Sequence, residues 1–532
     1  MNEKCFCHIG MADGTRYKVK DADARESIET LNGSINNLYV NTINDLKSLT
    51  TLIDGNVIKT LGYYSVNDGG GALYKIRTKD STDSENGIIH LLSNELVAEM
   101  IIEDDTINLK QVGFNSSNSA GVNTSIIYNM ISLFRNGGKI IIPFGSYNIE
   151  PITIDFKING LKMIGEIKRG VELKNNTTGL FTFNFTKAVY GLTLEDFRIE
   201  CNGVSDGIRF EKDSEGTHGE ININRVSVNK CRKGFKLHNV VYLNMRDSSV
   251  TLNEDVTTGD YCYEINGYEY NRFENCTGQI NGSGNPYPNV DICRIIESSY
   301  LWFKNCEFVK TGGNGIYILS NNTRSGNIYI DTCTLYRVNT GVLLESNNKS
   351  SKNINITNCH ITLDGVINSE SCIKTLKSSG TEKIIGLNVD NLYAERFGST
   401  TGILFNFGDN TIDSMHLLNI SCLWASGSPN MQFGNNKPAS LSFSKPYMDG
   451  ESTITGDGSK TEFDIIFNAG SKPVISDKPP IIVFNPLSEG IRYNFFNVMS
   501  SYYDGQNRLR TKIKFESAPP TGTYTLSYKL IF

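Results

Sequence analysis

From Leu192 to about Ala425 the chain repeats one pattern of apolar and polar positions. It runs apolar-x-apolar, then a polar pair usually ending in Asn or Asp, then Cys or an aliphatic residue that opens a second alternating run. Copies read LTLEDFRI (Leu192 to Ile199), ININRVSV (Ile221 to Val228), LNMRDSSV (Leu243 to Val250), RFENC ending at Cys276, LWFKNCEF (Leu301 to Phe308), IYIDTCTL (Ile328 to Leu335), INITNCHI (Ile354 to Ile361), LNVDNLYA (Leu387 to Ala394) and, more loosely, HLLNISCL (His416 to Leu423). The residue after the polar pair is in turn Phe197, Val226, Ser248, Cys276, Cys306, Cys333, Cys359, Leu392 and Ile420, a period of about 28 residues. A third run follows each copy and is commonly led by glycine, as in GIRFE at Gly207, GFKLH at Gly234, GIYIL at Gly315, GVLLE at Gly341 and GILFN at Gly402. Tyr261 to Ile265, Ile292 to Ile296 and Cys372 to Leu376 fill the same slot without glycine. Alternation with period two predicts strands rather than helices. Three short strands per repeat make one coil of a solenoid.

The polar pair predicts how each coil turns. Only two residues separate the flanking apolar positions, so the pleat must flip, and Asn or Asp adopts the left-handed conformation most readily. Asn275, Asn305, Asn358, Asn391 and Asn419 hold this corner, with Asp196 and Asp247 as near equivalents, while Arg225 and Thr332 depart from the pattern. Stacked coils would set these amides in a ladder about 4.8 Å apart. This middle region resembles the right-handed parallel β-helix of the pectate-lyase superfamily. The resemblance implies an all-β fold with a packed interior, function on outward positions and loops, and sugars lying along the strand that carries the glycine-led run.

The flanking segments carry other periods. From Arg25 a heptad places Ile28, Ile35, Thr42 and Leu49 at one seam and Leu31, Leu38, Asp45 and Leu52 at the other, predicting a short coiled coil or a single amphipathic helix packed on its own chain. LGYYSVNDGGGALYKI (Leu61 to Ile76) reads as a tight glycine turn between aromatic strands; no Lys-Ser/Thr follows, as a phosphate loop would need. Asn123 to Arg135 reads as an amphipathic helix with Ile127, Met130, Ile131 and Phe134 inward, stopped by Gly137 and Gly138 and placed to cover the open edge of the first coil. From Gly456 onward, short alternating strands between Gly and Pro predict a small β-sandwich.

GYYSVNDGGGALY, the GG-x-I-x-I-P-x-G-x-Y phrase beginning at Gly137, and GDGSKTEF with PPTGTY resemble, in that order, segments of bacteriophage tailspike and tail proteins. The resemblance implies a leader and coiled coil over 1–56 as a virion anchor, a head or capping region over 57–122, a β-helix with its capping helix over 123–448, and a C-terminal β-sandwich over 449–532 for trimerisation or glycan binding. It further implies a homotrimer on a phage tail or baseplate that recognises, and as an enzyme depolymerises, a bacterial surface polysaccharide such as a capsule, teichoic acid or other wall glycan, as a glycoside hydrolase rather than a lyase. The alternative is a receptor-binding spike without catalysis.

Composition narrows the partners. Charged residues make up 20% and net charge is -6, which argues against nucleic acid and is compatible with a neutral or cationic glycan. Of twelve cysteines, Cys276, Cys306, Cys333 and Cys359 share one inward column and read as buried thiols rather than disulfides. Cys5, Cys7 and His8 are too few for a zinc site, and no metal or cofactor is expected. Met1 to Gly10 lacks a basic then apolar run, so no signal peptide is expected, and no stretch is apolar enough to span a bilayer. A secreted pectate lyase would show a signal peptide and a calcium-binding cluster of carboxylates. Synthesis in a host cytoplasm and a place in the virion tail follow from the phage resemblance.

Candidate chemistry is read first on the glycine-led strand. Asp260 in TGDYCYEI and Asp291 in NVDICRII would sit one coil apart, a spacing at which two carboxyls act as nucleophile and acid/base on one glycosidic bond. Glu264 and Arg294 would flank them, Tyr287 in the loop Gly282 to Asn289 would wall the cleft, and Tyr317 would extend it. The bland reading is two solvated aspartates at strand starts. Asp206 in SDGIRF resembles the Asp of the NTDG phrase of polygalacturonases, and GGNGIYILS at Gly312 resembles their GHGxSIGS phrase with Asn314 in place of His. A rival site lies on the neighbouring face, where Arg272, Trp302 and Tyr329 hold one outward position in successive coils beside Glu274, Lys304 and Asp331 at the corner. Aromatic faces beside polar groups suit sugar rings. Glu274 and Asp331 would stand two coils apart, about 9.6 Å, near the separation of inverting glycosidases. Burial of that face between subunits is the competing reading.

Overall fold

The computed structural model describes residues 7–10, 16–19, 39–167, 169–211, 216–268, 270–282, 289–323, 325–364, 371–377, 382–397, 403–408, 411–424, 430–432, 440–444, 447–467, 481–486, 496–503, 509–515 and 517–531. They divide into two compact units, Met1–Asn115 and Ser116–Phe532.

The first unit carries a five-stranded sheet in the order Tyr39–Val40, Val57–Thr60, Leu73–Thr78, Leu96–Met100, Ile89–Leu91. The expected coiled coil fails over 39–52. Tyr39–Val40 is a strand, Thr42 caps the six-residue helix Ile43–Ser48, and Leu49 is extended. The two polar residues at the heptad seam, Thr42 and Asp45, form a reciprocal capping box. The buried face is Ile43 and Leu46, off the heptad. The heptad residues from Ile28 to Leu38 lie outside the described residues. The glycine turn is organised by Asp68, whose carboxylate accepts backbone N–H groups of Tyr63, Tyr64, Ser65 and Gly70 at 3.0, 2.8, 3.0 and 2.7 Å. Burial pulls the Asp68 pKa up, but the four donors outweigh it and hold it below its ordinary value.

The second unit opens on helix Ala120–Leu133, capped by Ser119, with Ile127, Met130 and Ile131 buried and Phe134 at its C-cap. It covers the first coil. Asn123 Nδ2 donates to the Asn148 carbonyl at 3.2 Å and Thr124 Oγ1 to that of Glu150 at 3.4 Å. From Gly138 to Ser444 the strands pair in parallel, coil upon coil, as expected of a β-solenoid. One ladder runs Lys162, Thr193, Asn222, Asn244, Arg272, Trp302, Tyr329, Asn355, Asn388, His416.

The corner behaves as the polar pair predicts and extends to the exceptions. Asp196, Arg225, Asp247, Asn275, Asn305, Thr332, Asn358, Asn391 and Asn419 all take φ between 49° and 61°. Position therefore overrides residue preference at Arg225 and Thr332. The amide ladder is partial. Asn391 donates to Asn358 at 2.8 Å and Asn275 to Asp247 at 3.0 Å, but Asn358 and Asn419 reach back one residue further, to Asp331 and Asp390. Inside the corner Phe197 through Ile420 form one buried column. Cys201, Cys231, Cys262, Cys276, Cys293, Cys306, Cys333 and Cys359 are buried thiols outside any disulfide, and Cys372 is buried too. In the column each thiol donates to a carbonyl of the preceding coil, as Cys306 Sγ does to Phe273 at 3.5 Å.

Strands of 447–531 form two three-stranded antiparallel sheets, Tyr447–Gly456 with Gly522–Ile531 and Ile481–Pro486, and Glu462–Phe467 with Leu509–Phe515 and Phe496–Tyr503.

Candidate functional site

The glycine-led strands stack as expected, with Ile208, Phe235, Tyr263, Cys293, Ile316 and Val342 in one inward column. The next residue in each strand faces outward and gives the column Arg209, Lys236, Glu264, Arg294, Tyr317, Leu343. Two residues before the inward column lie Asp206, Tyr261 and Asp291, at strand starts.

The register corrects the first carboxylate pair. Asp291 stands opposite Tyr261, so Asp260 is one residue out of step with it. Asp260 is 5% exposed and binds inward, accepting from Thr257 N–H at 2.8 Å and from Arg232 Nε and Nη2 at 3.1 and 3.0 Å. It ties the loop before its strand to the preceding coil. Asp206 is as deeply placed, 3% exposed, with Oδ1 accepting the Lys233 N–H at 3.0 Å. Burial raises its pKa and Asp260 adds to the rise, against the opposing pull of Lys233 and Arg232. Its carboxyl thus has the electrostatics of a proton donor but little access to solvent.

Glu264 and Asp291 converge instead on Arg294. Arg294 Nε donates to Asp291 Oδ2 at 2.9 Å, and Nη1 lies 3.9 Å from Glu264 Oε2. Both carboxyls lie within ion-pair distance of one guanidinium, so their separation is at most about 9 Å, no wider than the span of paired carboxyls that act on one glycosidic bond. Asn314 Nδ2 donates to Asp291 Oδ1 at 2.6 Å, and His238 Nε2 pairs with Glu264 Oε1 at 2.9 Å. Burial works to raise Glu264, but His238, Lys236 and Arg294 outweigh it and hold its pKa below the ordinary value. The Arg294 guanidinium lies 5.5 Å from the centre of the Tyr261 ring. Tyr317 donates to Glu345 Oε2 at 2.7 Å, and burial with that carboxylate drives its pKa up. Tyr287 lies outside the described residues.

On the neighbouring face Arg272, Trp302 and Tyr329 do share one ladder. Their rings, however, stack on one another along it. Trp302 and Tyr329 lie 5.7 Å apart at 5°, and Arg272 covers Trp302 at 5.4 Å. Both faces of Trp302 are occupied, which leaves edges for a ligand. Beside them Tyr242, Tyr270 and Tyr300 stack at 5.4 and 4.9 Å. Glu274 and Asp331 stand two coils apart, as expected, through Lys304. Asp331 is engaged by Thr357 Oγ1 and Asn358 Nδ2 at 2.9 and 2.8 Å; burial would raise its pKa, but these donors hold it low. An ionised carboxylate locked into the corner is poorly suited to donate a proton.

Sequence patterning alone does not single out His238, Lys236, Glu345 or the tyrosine stack. Lys236 and the tyrosines carry a signal in the repeat. Lys236 follows the glycine of GFKLH in the slot that Glu264 and Arg294 occupy, and a tyrosine precedes the apolar run in VYLNM, EYNRF and SYLWF.

No protein-family model and no curated protein matches the chain. Similar solved structures include the enzymatically active domain of tailspike protein 2 of bacteriophage CBA120, at 11% identity over 95% of this chain and 82% of that one, with a TM-score of 0.48. They also include tailspike protein gp49 of Acinetobacter baumannii bacteriophage Fri1, a capsular polysaccharide depolymerase, at 10% identity over 93% and 98% with a TM-score of 0.44. The A-module of the Azotobacter vinelandii mannuronan C-5 epimerase AlgE4 aligns at 12% identity over 63% and 99% with a TM-score of 0.39. At these identities the likeness concerns the fold alone.

Proposed function

We propose that this chain is a phage tailspike that binds a bacterial surface polysaccharide along the outward side of its glycine-led strands and cleaves it by hydrolysis. The observation that carries this reading is the convergence of Glu264 and Asp291 on Arg294, flanked by His238, Tyr261 and Tyr317, on the face where the β-helix resemblance puts sugars. Glu264, ionised at neutral pH, is the base that activates water. Once a bound sugar draws Arg294 toward its hydroxyls, Asp291 takes up a proton from solvent and gives it to the leaving oxygen as the glycosidic bond breaks, while Glu264 takes the proton of the attacking water; Tyr261 and Tyr317 position the rings. Assembly as a homotrimer on the tail, through the N-terminal unit, and packing of the two C-terminal sheets as a sandwich belong to the same proposal and rest on the ordered resemblances of the three flanking segments.

The test is incubation of the purified protein with host surface polysaccharide, scoring new reducing ends against unsaturated uronate absorbance. New reducing ends alone support hydrolysis; uronate absorbance overturns it in favour of elimination. Binding without new ends supports the second reading, a receptor-binding spike. One observation favours that alternative: Arg294 and His238 already engage both carboxylates, as in a site built to hold rather than to cut.

A further inference from the structure

In the outward column of the glycine-led strands nearly every charge has an answering group. Arg209 pairs with Glu211, Glu264 with His238, and Arg294 with Asp291. Lys236 is the exception. Among the described residues no hydrogen bond or ion pair reaches its ammonium; Glu264, opposite it in the next coil, attracts it, but that carboxylate is engaged by His238. Its other neighbours are like charges: Arg209 directly beneath it in the preceding coil, and Lys233 on its own strand. Burial lowers its pKa first, and those two cations lower it further. A half-buried ammonium with no hydrogen bond or ion pair of its own costs free energy that an exposed lysine would avoid. The chain holds it there, one coil from Glu264, where a ligand anion would relieve the cost.

We infer that Lys236, with Arg209 and Lys233, binds an anionic group of the polysaccharide, a uronate carboxylate or a phosphodiester, in the subsite adjoining Glu264 and Asp291, so that the substrate is an acidic polymer. This rests on the function proposed above and names its substrate class. It departs from the expectation drawn from net charge. A total of -6 averages over the whole chain, whereas a ligand group feels charges within about one Debye length, roughly 8 to 10 Å at ordinary salt.

The experiment compares wild type, Lys236→Met and Lys236→Arg for binding to polygalacturonate, alginate, hyaluronan and wall teichoic acid, each against a neutral control: the three uronate polymers after reduction of their carboxyls, and dextran. Wild type is expected to bind at least one acidic polymer about tenfold more tightly than its neutral control, with an affinity that falls as salt rises. Loss on carboxyl reduction marks the uronate, and preference for teichoic acid marks the phosphodiester. Lys236→Met should weaken that binding about tenfold and Lys236→Arg should retain it. Because the substitution removes an unpaired charge and keeps the apolar stem, the melting temperature of Lys236→Met should not fall; a fall matching the binding loss would mark a structural role and overturn the inference. Equal binding to acidic and reduced polymers, or unaltered binding by Lys236→Met, overturns it too. Binding to neutral polymer alone sinks the acidic substrate while leaving the proposed function standing, and binding to no polymer sinks both.

Discussion

Two outward faces of the same coils treat their side chains in opposite ways. On the glycine-led face the residues one coil apart are unlike from Lys236 onward, Lys236 then Glu264 then Arg294 then Tyr317, and among them Glu264 and Arg294 meet as an ion pair. On the neighbouring face the residues one coil apart are alike, Tyr242, Tyr270 and Tyr300, or Trp302 and Tyr329, so neighbours consume each other's ring faces. Stacking of like on like closes ring faces to a ligand, and alternation of unlike leaves charged groups able to meet one. The tyrosines also occupy a strained position. Their φ values of 57°, 65° and 54° are left-handed, where the preceding coils use Glu220 and Gly191 and the following ones Asn327 and Asn353.

The interior offers a calibration for the tyrosine stack. Phe273 and Phe303 stack at 4.8 Å and 8°, nearly the geometry of Tyr270 and Tyr300 at 4.9 Å and 14°, but buried. Phe303→Ala should therefore cost about 3–5 kcal/mol in denaturant unfolding, through lost burial and a cavity. A cost below about 1 kcal/mol would mean the coils do not pack as described. Next in size, Asp291→Asn should lower turnover by about a hundredfold or more while polymer binding persists; unchanged turnover would remove Asp291 from the reaction. Tyr270→Asn exchanges about 1 kcal/mol of left-handed strain for a comparable loss of stacking, so stability should shift by no more than about 1 kcal/mol. A loss near that of Phe303→Ala would make the outer stack as structural as the inner one. Trp302→Ala should leave turnover within about twofold, since its ring faces are not free to meet sugar. A large loss would restore the neighbouring face as the active one.

Acid should separate the faces in a milder way. Glu264 has a folded pKa below its unfolded value, so it contributes stability above the unfolded pKa that is lost as pH falls through the folded one. Stability measured from neutral pH downward should fall less steeply in Glu264→Gln than in wild type over that acidic window. Identical slopes would show that the His238 and Arg294 contacts do not hold Glu264 charged.

Much of the architecture was legible because it is local. A period-two run dictates a strand, a two-residue gap between apolar positions dictates a pleat flip, and the inward column from Phe197 to Ile420 follows from counting. The coil position, more than the residue, sets the backbone at Arg225 and Thr332, which is why a residue preference misjudged them. The heptad misled for a related reason: Thr42 and Asp45 fit a seam by spacing, but their side chains satisfy a helix start, and a capping box competes with a coiled coil for the same letters.

What the sequence determined by itself is the repeat: how long a coil is, where it turns, and which residues face in. What only the tertiary structure decided is which outward residue stands over which, and what each long side chain touches. That depends on the number of residues each loop inserts between coils, and one residue separated Asp260 from the register of Asp291. It depends also on the reach of Arg294, Arg232 and His238, whose flexible side chains choose partners by distance and charge across coils roughly thirty residues apart in the chain.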